Sequence, residues 1–413
     1  MYIESRYGYI EKRMSLKETS RTDKRNVVLI HLESTRARSI TPYNEKLKTT
    51  PFLGELAKSS LLAERAYITV PRTSKAIISV NCGIQPHLVE EITEANQGGI
   101  PSRGLADLLK EQRYSTAFFQ SSTENFENFR DLVENFGYAE YYPLEALDEE
   151  YKEGFECSNY FGYEDDIMLR PSKEWLRKQR AHPFMVKYLM GTGHHDYQAP
   201  SRYGYEHFSD EEPLNSYLNC LRYQDHFVKN LINQYKELGY YEDTIFVLYG
   251  DHGEGFGEHG RWRHEDVIWE EGARVPLIIH APGWFEGGKR VEGLSNHTDI
   301  LPTVLDMLGY EVVGEDLEYP GYSLLHPLPE DRTLFFSCFH DNVKGSASLR
   351  STEKYIYHYD GLPEEVFDLS EDPFEEHNIV DKRDKQEIEE RRNDVVAWRA
   401  RVNAIYEGKI VAG

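Results

Sequence analysis

The feature that most constrains the fold is an apolar run that ends in a carboxylate. Residues 26–33 read Asn-Val-Val-Leu-Ile-His-Leu-Glu, which is typical of a buried central strand with a charged side chain at its C-terminal end. A second run, Thr244 to Gly250, leads directly into an Asp-His-Gly tripeptide. In open α/β sheets, ligands bind at this end of the strands. The two strands are therefore expected to bring Glu33, Asp251 and His252 together as metal ligands.

The charge of the chain narrows the class of partner. The 413 residues carry a formal charge of -24 at pH 7. This argues against nucleic acid or an anionic membrane surface as the main partner, because both would be repelled. An anionic substrate must for the same reason be attracted by local cations. The four cysteines are widely spaced and predict neither a disulfide framework nor a cysteine-based zinc site.

The sequence also bears on the location of the protein. No apolar run approaches the length of a membrane span, and the N-terminus lacks the apolar core of a signal peptide. We therefore expect no transmembrane segment and a protein that is soluble as given. The absence of a signal predicts a cytoplasmic location, whereas an extracytoplasmic location is expected if the chain is a fragment of a membrane-anchored protein.

Strands and helices alternate along most of the chain, which predicts an α/β fold with a mostly parallel central sheet. The sequence predicts a polar surface leader at residues 1–25 and a catalytic domain at residues 26–325. It predicts a small α+β subdomain, with antiparallel strands and a terminal helix, at residues 326–413. Further strands are predicted at 66–70, 114–119, 183–190 and 274–279. Helices are predicted from Pro51, from Lys75, after residue 104, and at 213–238, 298–308 and 384–406. Loops and short helices around a cleft are predicted for 121–180.

Several motifs resemble one enzyme superfamily. The segments Asn-Val-Val-Leu-Ile-His-Leu-Glu-Ser, Tyr-Gly-Asp-His-Gly-Glu and Glu-Glu-Gly-Ala-Arg-Val-Pro-Leu-Ile-Ile resemble the sulfatase branch of the alkaline phosphatase superfamily. Two later motifs, at 296–305 and 366–373, follow in the same order. The resemblance covers residues 26 to 380. It implies an alkaline phosphatase-like three-layer fold, with one divalent metal at the C-terminal edge of the sheet.

The segment around Thr73 decides between branches of this superfamily. Arg72-Thr73-Ser74 and the motif at 79–84 resemble lipoteichoic acid synthases and phosphoglycerol transferases, which use a threonine nucleophile. True sulfatases need a Cys or Ser in a Cys/Ser-x-Pro-x-Arg context for conversion to formylglycine, and a threonine cannot be so converted. A threonine alkoxide beside a metal suits attack on phosphorus. Ser74 is the competing nucleophile, and Thr73 is also a good helix N-cap.

The resemblance extends to the substrate side of the site. Phe129-Arg130-Asp131 is similar to the substrate-binding segment of those enzymes, and Lys75 and Arg130 are expected to bind the anionic substrate. The Gly-His-His-Asp-Tyr loop offers His194 and His195; we favour His194 as catalytic and His195 as substrate-binding. His264 is expected to face the leaving group, because an imidazole near its ordinary pKa can protonate a departing alkoxide. Alternatively, Arg130 forms an ion pair at the surface, and the histidines have purely structural roles.

Together these features predict a metal-dependent phosphoester hydrolase or phosphotransferase that forms a covalent phospho-threonine. Glu33, Thr73, Asp251 and His252 would bind one ion, most simply Mn²⁺, with Mg²⁺ or Zn²⁺ possible for the same ligand set. The expected substrate is an anionic small molecule, a glycopolymer or a lipid-headgroup ester. One alternative is a sulfate-ester hydrolase with a non-standard nucleophile. The other is an inactive binder of anionic glycopolymers.

Overall fold

The computed structural model describes residues 14–179, 182–314, 320–340 and 342–408. Its helices are Pro51–Ala57 (α1), Thr73–Cys82 (α2), Leu105–Glu111 (α3), Phe129–Phe136 (α4), Glu149–Lys152 (α5), Leu169–Leu176 (α6), Glu212–Leu238 (α7), Glu270–Ala273 (α8), Ile300–Met307 (α9) and Lys385–Tyr406 (α10). Its strands are Ser15–Glu18 (β1), Asn26–Leu32 (β2), Leu61–Tyr67 (β3), Ser115–Gln120 (β4), Glu140–Tyr142 (β5), Cys157–Asn159 (β6), Gly162–Tyr163 (β7), Phe184–Leu189 (β8), Thr244–Gly250 (β9), Gly255–Phe256 (β10), Trp262–Arg263 (β11), Arg274–Val275 (β12), Leu277–His280 (β13), Lys289–Asn296 (β14), Tyr310–Val313 (β15), Thr333–His340 (β16), Asn342–Arg350 (β17), Glu353–His358 (β18) and Glu365–Asp368 (β19).

A large mixed sheet forms the centre of the molecule. Its strand order is β12-β3-β13-β9-β2-β8-β4-β5, with β14 added on β3. The segment from β9 through β2, β8 and β4 to β5 is parallel, and so is the β14–β3 pair. The strands β12 and β13 run antiparallel to their neighbours and are separated only by Pro276, which has no N–H for the ladder. The predicted three-layer α/β fold with a mostly parallel sheet is confirmed.

The central strand β2 shows why this sheet needs helices on both faces. All seven of its residues are buried. Val27 and Leu29 pack into one hydrophobic cluster, which includes residues of α2, α3, α4 and α9. Val28 and Ile30 point to the opposite cluster, which includes residues of α1, α6 and α7. The alternation follows from the twofold period of a strand, and it makes an apolar residue favourable at every position.

A smaller antiparallel sheet, in the order β16-β17-β18-β19, forms the C-terminal part of the chain, and α10 packs against it. This agrees with the antiparallel strands and terminal helix predicted there; the boundary at residue 326 stays a prediction. Residues 1–13 of the predicted polar leader lie outside the described residues. Within the remainder of that segment, β1 pairs with β15 and Met14 is buried. In the described part of the chain, no helix combines the length and apolarity needed to cross a membrane.

One predicted strand was wrong in its position. The sequence predicted 66–70, whereas β3 spans Leu61–Tyr67. The charged pair Glu64 and Arg65 interrupts the apolar pattern, and both are only partly buried. Arg65 lies where the two sheets meet and donates to the carbonyl of Ser351. Contact with the C-terminal subdomain thus explains the arginine of this pair.

Candidate active site

The ends of β2 and β9 bring two carboxylates together. Leu32 pairs with Gly250 in a parallel register, so the next residues, Glu33 and Asp251, leave the sheet side by side. Both are buried, and one ligand atom from each lies within 4.8 Å of the other and of a ring nitrogen of His31. His31 Nε2 is 3.3 Å from an oxygen of each carboxylate. The predicted convergence of two strand ends therefore exists in the structure.

His252 completes this cluster with a fixed orientation. Its Nε2 is 3.1 Å from Asp251 Oδ2 and 3.8 Å from Glu33 Oε1. Its Nδ1 lies 2.8 Å from the carbonyl of Gly253. Because that carbonyl can only accept, Nδ1 donates to it, and Nε2 faces the two carboxylates.

The donor set fits a divalent cation. Asp251 Oδ1 accepts from the backbone N–H groups of Ser34 and His252, at 2.9 and 2.8 Å. Its other oxygen, Oδ2, is buried and has no hydrogen-bond partner among the described residues. Burial raises the pKa of Glu33 well above its usual range, and the charge of Asp251 raises it further. A cation would satisfy the free oxygen and remove the repulsion.

Thr73 lies beside this cluster at the start of α2. Its Oγ1 is 3.4 Å from His252 Nε2. The N-cap position belongs to Arg72, so the hydroxyl of Thr73 is not used as the helix cap. The competing hydroxyl, that of Ser74, is fully buried and has no hydrogen-bond partner in the described part of the chain. Of the two hydroxyls, that of Thr73 is therefore the one that lies beside His252 Nε2.

Three further histidines lie around the same site. The ring of His264 stacks on that of His252, with centroids 3.9 Å apart, and lies 5.7 Å from the ring of His194. The rings of His194 and His195 are 3.9 Å apart. Burial, together with the neighbouring His264 and His195, lowers the pKa of His194 to about 3. The predicted histidines therefore form one group, in which His194 is neutral at pH 7.

A carboxylate orients His264. His264 Nδ1 is 3.0 Å from Glu254 Oε2, and the hydroxyl of Tyr197 donates to Glu254 Oε1 at 2.7 Å. Burial lowers the pKa of His264 well below its ordinary value, and His252 lowers it further. With its Nδ1–H directed at Glu254, this imidazole has Nε2 free to exchange a proton.

The structure does not bring Lys75 and Arg130 into this group. The ammonium of Lys75 is buried against Glu94 Oε2 and Oε1, at 2.8 and 3.1 Å, and the carbonyl of Glu91, at 2.9 Å. Those three acceptors account for its three N–H donors. Arg130 lies in the first turn of α4 with its side chain largely exposed, and it pairs with Glu124. A substrate-binding role for either residue stays a prediction.

Sequence reasoning missed His31, Arg72 and Glu127. His31 lies two residues before Glu33 on the same strand, so the twofold period of a strand could have identified it. The pair between Arg72 Nε and Glu127 Oε1, at 2.5 Å, joins residues from different elements. No local pattern in the sequence predicts such a contact.

Two glycines allow the loops of the site to approach each other. A Cβ on Gly193 would lie 2.5 Å from the carbonyl of Glu33, and its φ of 132° is unfavourable for other residues. A Cβ on Gly253 would lie 1.8 Å from the carbonyl of Glu271. Glycine at these positions lets the His194 loop close over β2 and lets the segment after Asp251 pack on α8.

Comparison with known proteins agrees with this architecture. A sulfatase family model matches residues 25–310, and a model described as N-sulphoglucosamine sulphohydrolase, C-terminal, matches residues 257–398. A solved structure of an alkaline phosphatase superfamily protein from Vibrio parahaemolyticus superimposes with a TM-score of 0.76 at 20% identity. That alignment covers 97% of this chain and 91% of the other.

Curated relatives fall into two groups of enzymes. Lipoteichoic acid synthase-like YvgJ of Bacillus subtilis is 26% identical over 329 residues, or 75% of this chain and 51% of that protein. N-acetylglucosamine-6-O-sulfatase of Bacteroides thetaiotaomicron is 30% identical over 186 residues, or 42% of this chain and 33% of that protein. The chain spans about half the length of the lipoteichoic acid synthases that it matches. Since the sulfatase model covers more than half of its length, this chain belongs to the sulfatase family.

Proposed function

We propose that this protein is a metal-dependent phosphodiesterase or phosphotransferase that acts through a covalent phospho-threonine at Thr73. The observation that carries the proposal is the position of the Thr73 hydroxyl, 3.4 Å from His252 Nε2 at the N-terminus of α2. A helix N-terminus favours a developing alkoxide or a bound phosphate. The cysteine of α2, Cys82, is buried at the opposite end of that helix, about 13 Å away along its axis. Cys82 is therefore too far from Thr73 to take the place of the cysteine that sulfatases convert to formylglycine.

The reaction proceeds in two displacements. Oγ of Thr73 attacks phosphorus, a new Oγ–P bond forms, and the bond from phosphorus to the departing alkoxide breaks. The proton of the hydroxyl passes to His264, whose Nδ1 is directed at Glu254, and then to the departing alkoxide. Water or an acceptor hydroxyl next attacks phosphorus, the Oγ–P bond breaks, and the proton of the attacking oxygen passes by way of His264 to Oγ of Thr73, which restores its hydroxyl.

The expected metal ligands are Glu33, Thr73, Asp251 and His252. An ion bound there would lower the pKa of the threonine hydroxyl and compensate charge on phosphorus. We propose Mn²⁺, and Mg²⁺ or Zn²⁺ would suit the same oxygen and nitrogen donors. The buried Asp251 oxygen without a hydrogen-bond partner among the described residues supports this assignment.

The charge of the site favours a diester over a monoester. Two-metal members of the superfamily use an Asp-x-x-x-His motif, and the residues four before His194 and His195 are Met190 and Gly191. A single ion suits a monoanionic diester better than a dianionic monoester, which two ions about 4 Å apart clamp well. The proposed substrates are therefore phosphodiesters of the phosphoglycerol or glycopolymer type, with water or a hydroxyl compound as acceptor.

The kinetic test compares three aryl esters that share one leaving group. With Mn²⁺ present, kcat/KM should be highest for the phosphodiester, lower for the phosphomonoester and close to background for the sulfate ester. The variant Thr73→Ala should lose activity on all three esters. A strong preference for the monoester would refute the charge argument, and turnover that survives exhaustive chelation would refute the metal-dependent mechanism.

A sulfate-ester hydrolase with a non-standard nucleophile is the second candidate. It is supported by the match of residues 257–398 to the C-terminal model of N-sulphoglucosamine sulphohydrolase. The same three esters separate the two functions, because robust turnover of the sulfate ester would replace the first proposal with this one. Failure of all three esters, with metal bound, would instead favour a binder of anionic glycopolymers.

A further inference from the structure

A carboxylate from a distant loop lies at the start of the nucleophile helix. Glu127 Oε2 accepts from the backbone N–H of Ser74 at 2.7 Å, and Glu127 Oε1 accepts from Arg72 Nε at 2.5 Å. Ser74 and Arg72 directly flank Thr73 in the chain. An internal anion therefore binds to the same helix terminus from which the Thr73 hydroxyl projects.

The loop that carries this carboxylate has an unfavourable backbone. Glu127 and Asn128 both have positive φ angles, of 48° and 56°. Non-glycine residues adopt this left-handed region at an energetic cost, which their contacts must offset. The contacts of Glu127 with Ser74 and Arg72 are the ones that can do so. When these contacts are broken, the cost of the left-handed backbone is no longer offset, and we expect the loop to change its conformation.

The partners of Glu127 are those that a tetrahedral oxyanion would use. A backbone N–H at a helix N-terminus and a guanidinium are standard donors to phosphate and sulfate. Arg72 also donates from Nη1 to the carbonyl of Glu90 at 2.9 Å, so that bond can keep the guanidinium in place without Glu127. A second feature beside Thr73 indicates a ligand: the buried Asp251 Oδ2, which is 3.1 Å from His252 Nε2 and lacks a hydrogen-bond partner in the described residues.

We propose that Glu127 is a built-in competitor of the substrate: its carboxylate occupies Ser74 N–H and Arg72 in the free protein, and the anionic group of the substrate displaces it. This inference rests on the proposed function for the identity of the displacing group, a phosphoryl or sulfuryl oxyanion. Because the substrate must displace this carboxylate, the contact lowers the affinity with which the protein binds an anion. It also selects substrates whose anion can replace a carboxylate at both donors. The segment 123–128 then acts as a latch that opens on binding.

The test measures binding without turnover. Inorganic phosphate and inorganic sulfate are titrated calorimetrically into the Mn²⁺-supplemented wild-type protein and into Glu127→Gln. Glutamine retains a carbonyl oxygen for one of the two donors but removes the charge. We expect Glu127→Gln to bind both anions roughly tenfold more tightly than wild type, since an anion at a helix N-terminus contributes about that much. Glu127→Ala, which removes both contacts, should change affinity in the same direction.

The chain provides a control in Glu134→Gln. Glu134 is an exposed carboxylate on α4, the helix that follows the loop of Glu127. Its substitution should leave anion affinity unchanged. The proposal is overturned if both Glu127 variants bind the two anions as weakly as wild type or more weakly, because Glu127 would then support the site rather than compete for it. If anion binding behaves as expected while no ester is turned over, the proposed function fails and the latch stands.

Discussion

Replacing Glu33 with glutamine should stabilise the metal-free protein and abolish its response to metal. Glu33 and Asp251 are both buried, and their ligand atoms lie within 4.8 Å. Two negative charges at that distance repel by about 3.5 kcal/mol at an effective dielectric constant of about 20. The net effect is smaller than the full Coulomb energy, because Glu33 can relieve the repulsion by taking up a proton. Glutamine removes the charge and can still accept the 3.0 Å hydrogen bond from the Ser34 hydroxyl.

The size of the effect on the melting temperature follows from the length of the chain. An unfolding entropy of about 2.1 cal/mol/K per residue gives about 0.9 kcal/mol/K for 413 residues. Removing the repulsion should therefore raise the Tm of the metal-free protein by up to about 4 °C. An ion at a hundredfold excess over its Kd stabilises by about 2.7 kcal/mol, which corresponds to about 3 °C in the wild-type protein.

Differential scanning calorimetry in EDTA and in excess Mn²⁺ tests both effects. We expect wild type to melt about 3 °C higher with Mn²⁺ than with EDTA. Glu33→Gln should melt above the chelated wild type and show the same Tm in both buffers. The reasoning would be refuted by a Glu33→Gln protein that keeps the Mn²⁺-dependent shift, or by one that melts below the chelated wild type.

Three further predictions concern single residues. Thr73→Ala should abolish turnover without lowering Tm, whereas Ser74→Ala should stay active; the reverse result would move the nucleophile by one residue. Asp225 accepts from two backbone N–H groups at the start of α1, so Asp225→Ala should lower the free energy of unfolding by about 1–2 kcal/mol, and an unchanged denaturant midpoint would contradict this. Burial alone would lower the pKa of His259, but its contacts with Glu271 and Glu375 together outweigh burial and the pKa is raised. That stabilisation is complete below pH 6.5 and is lost as the pH rises through the folded pKa, so the Tm difference between wild type and His259→Gln should shrink from pH 6 to pH 9; a difference that grows with pH would contradict it.

The fold was predictable because its central strands are buried on both faces. A mostly apolar run, as in β2 and β9, where every residue is buried, allows few placements other than the middle of a sheet covered by helices. The β3 strand was misplaced because the charged pair Glu64 and Arg65 interrupts its apolar pattern, and the contact of Arg65 with Ser351 is visible only in the tertiary structure. The strand β14 escaped prediction for a similar reason, since it is a polar edge strand recognisable only by its pairing with β3.

The meeting of side chains at this edge of the sheet was predictable where those side chains follow strands directly. Glu33, Asp251 and His252 are next to buried strands in the sequence, and parallel pairing makes their approach a consequence of topology. Side chains whose partners come from remote loops were beyond this reasoning. Lys75 is the example: its sequence position beside Thr73 suggested a substrate contact, whereas its ammonium is buried against Glu94. The ion pair between Lys75 and Glu94 could be predicted only by knowing which loop lies against α2.

The most direct measurement of the central claim is identification of the covalent intermediate. The Mn²⁺-supplemented protein is mixed with an aryl phosphodiester, quenched in acid within the first turnovers, and digested for peptide mass spectrometry. We predict one adduct, with the mass of the phosphoryl group and its remaining ester substituent, on the hydroxyl of Thr73, and none in Thr73→Ala. An adduct on Ser74 or on any other residue, or sustained turnover with no adduct on Thr73, would contradict the account.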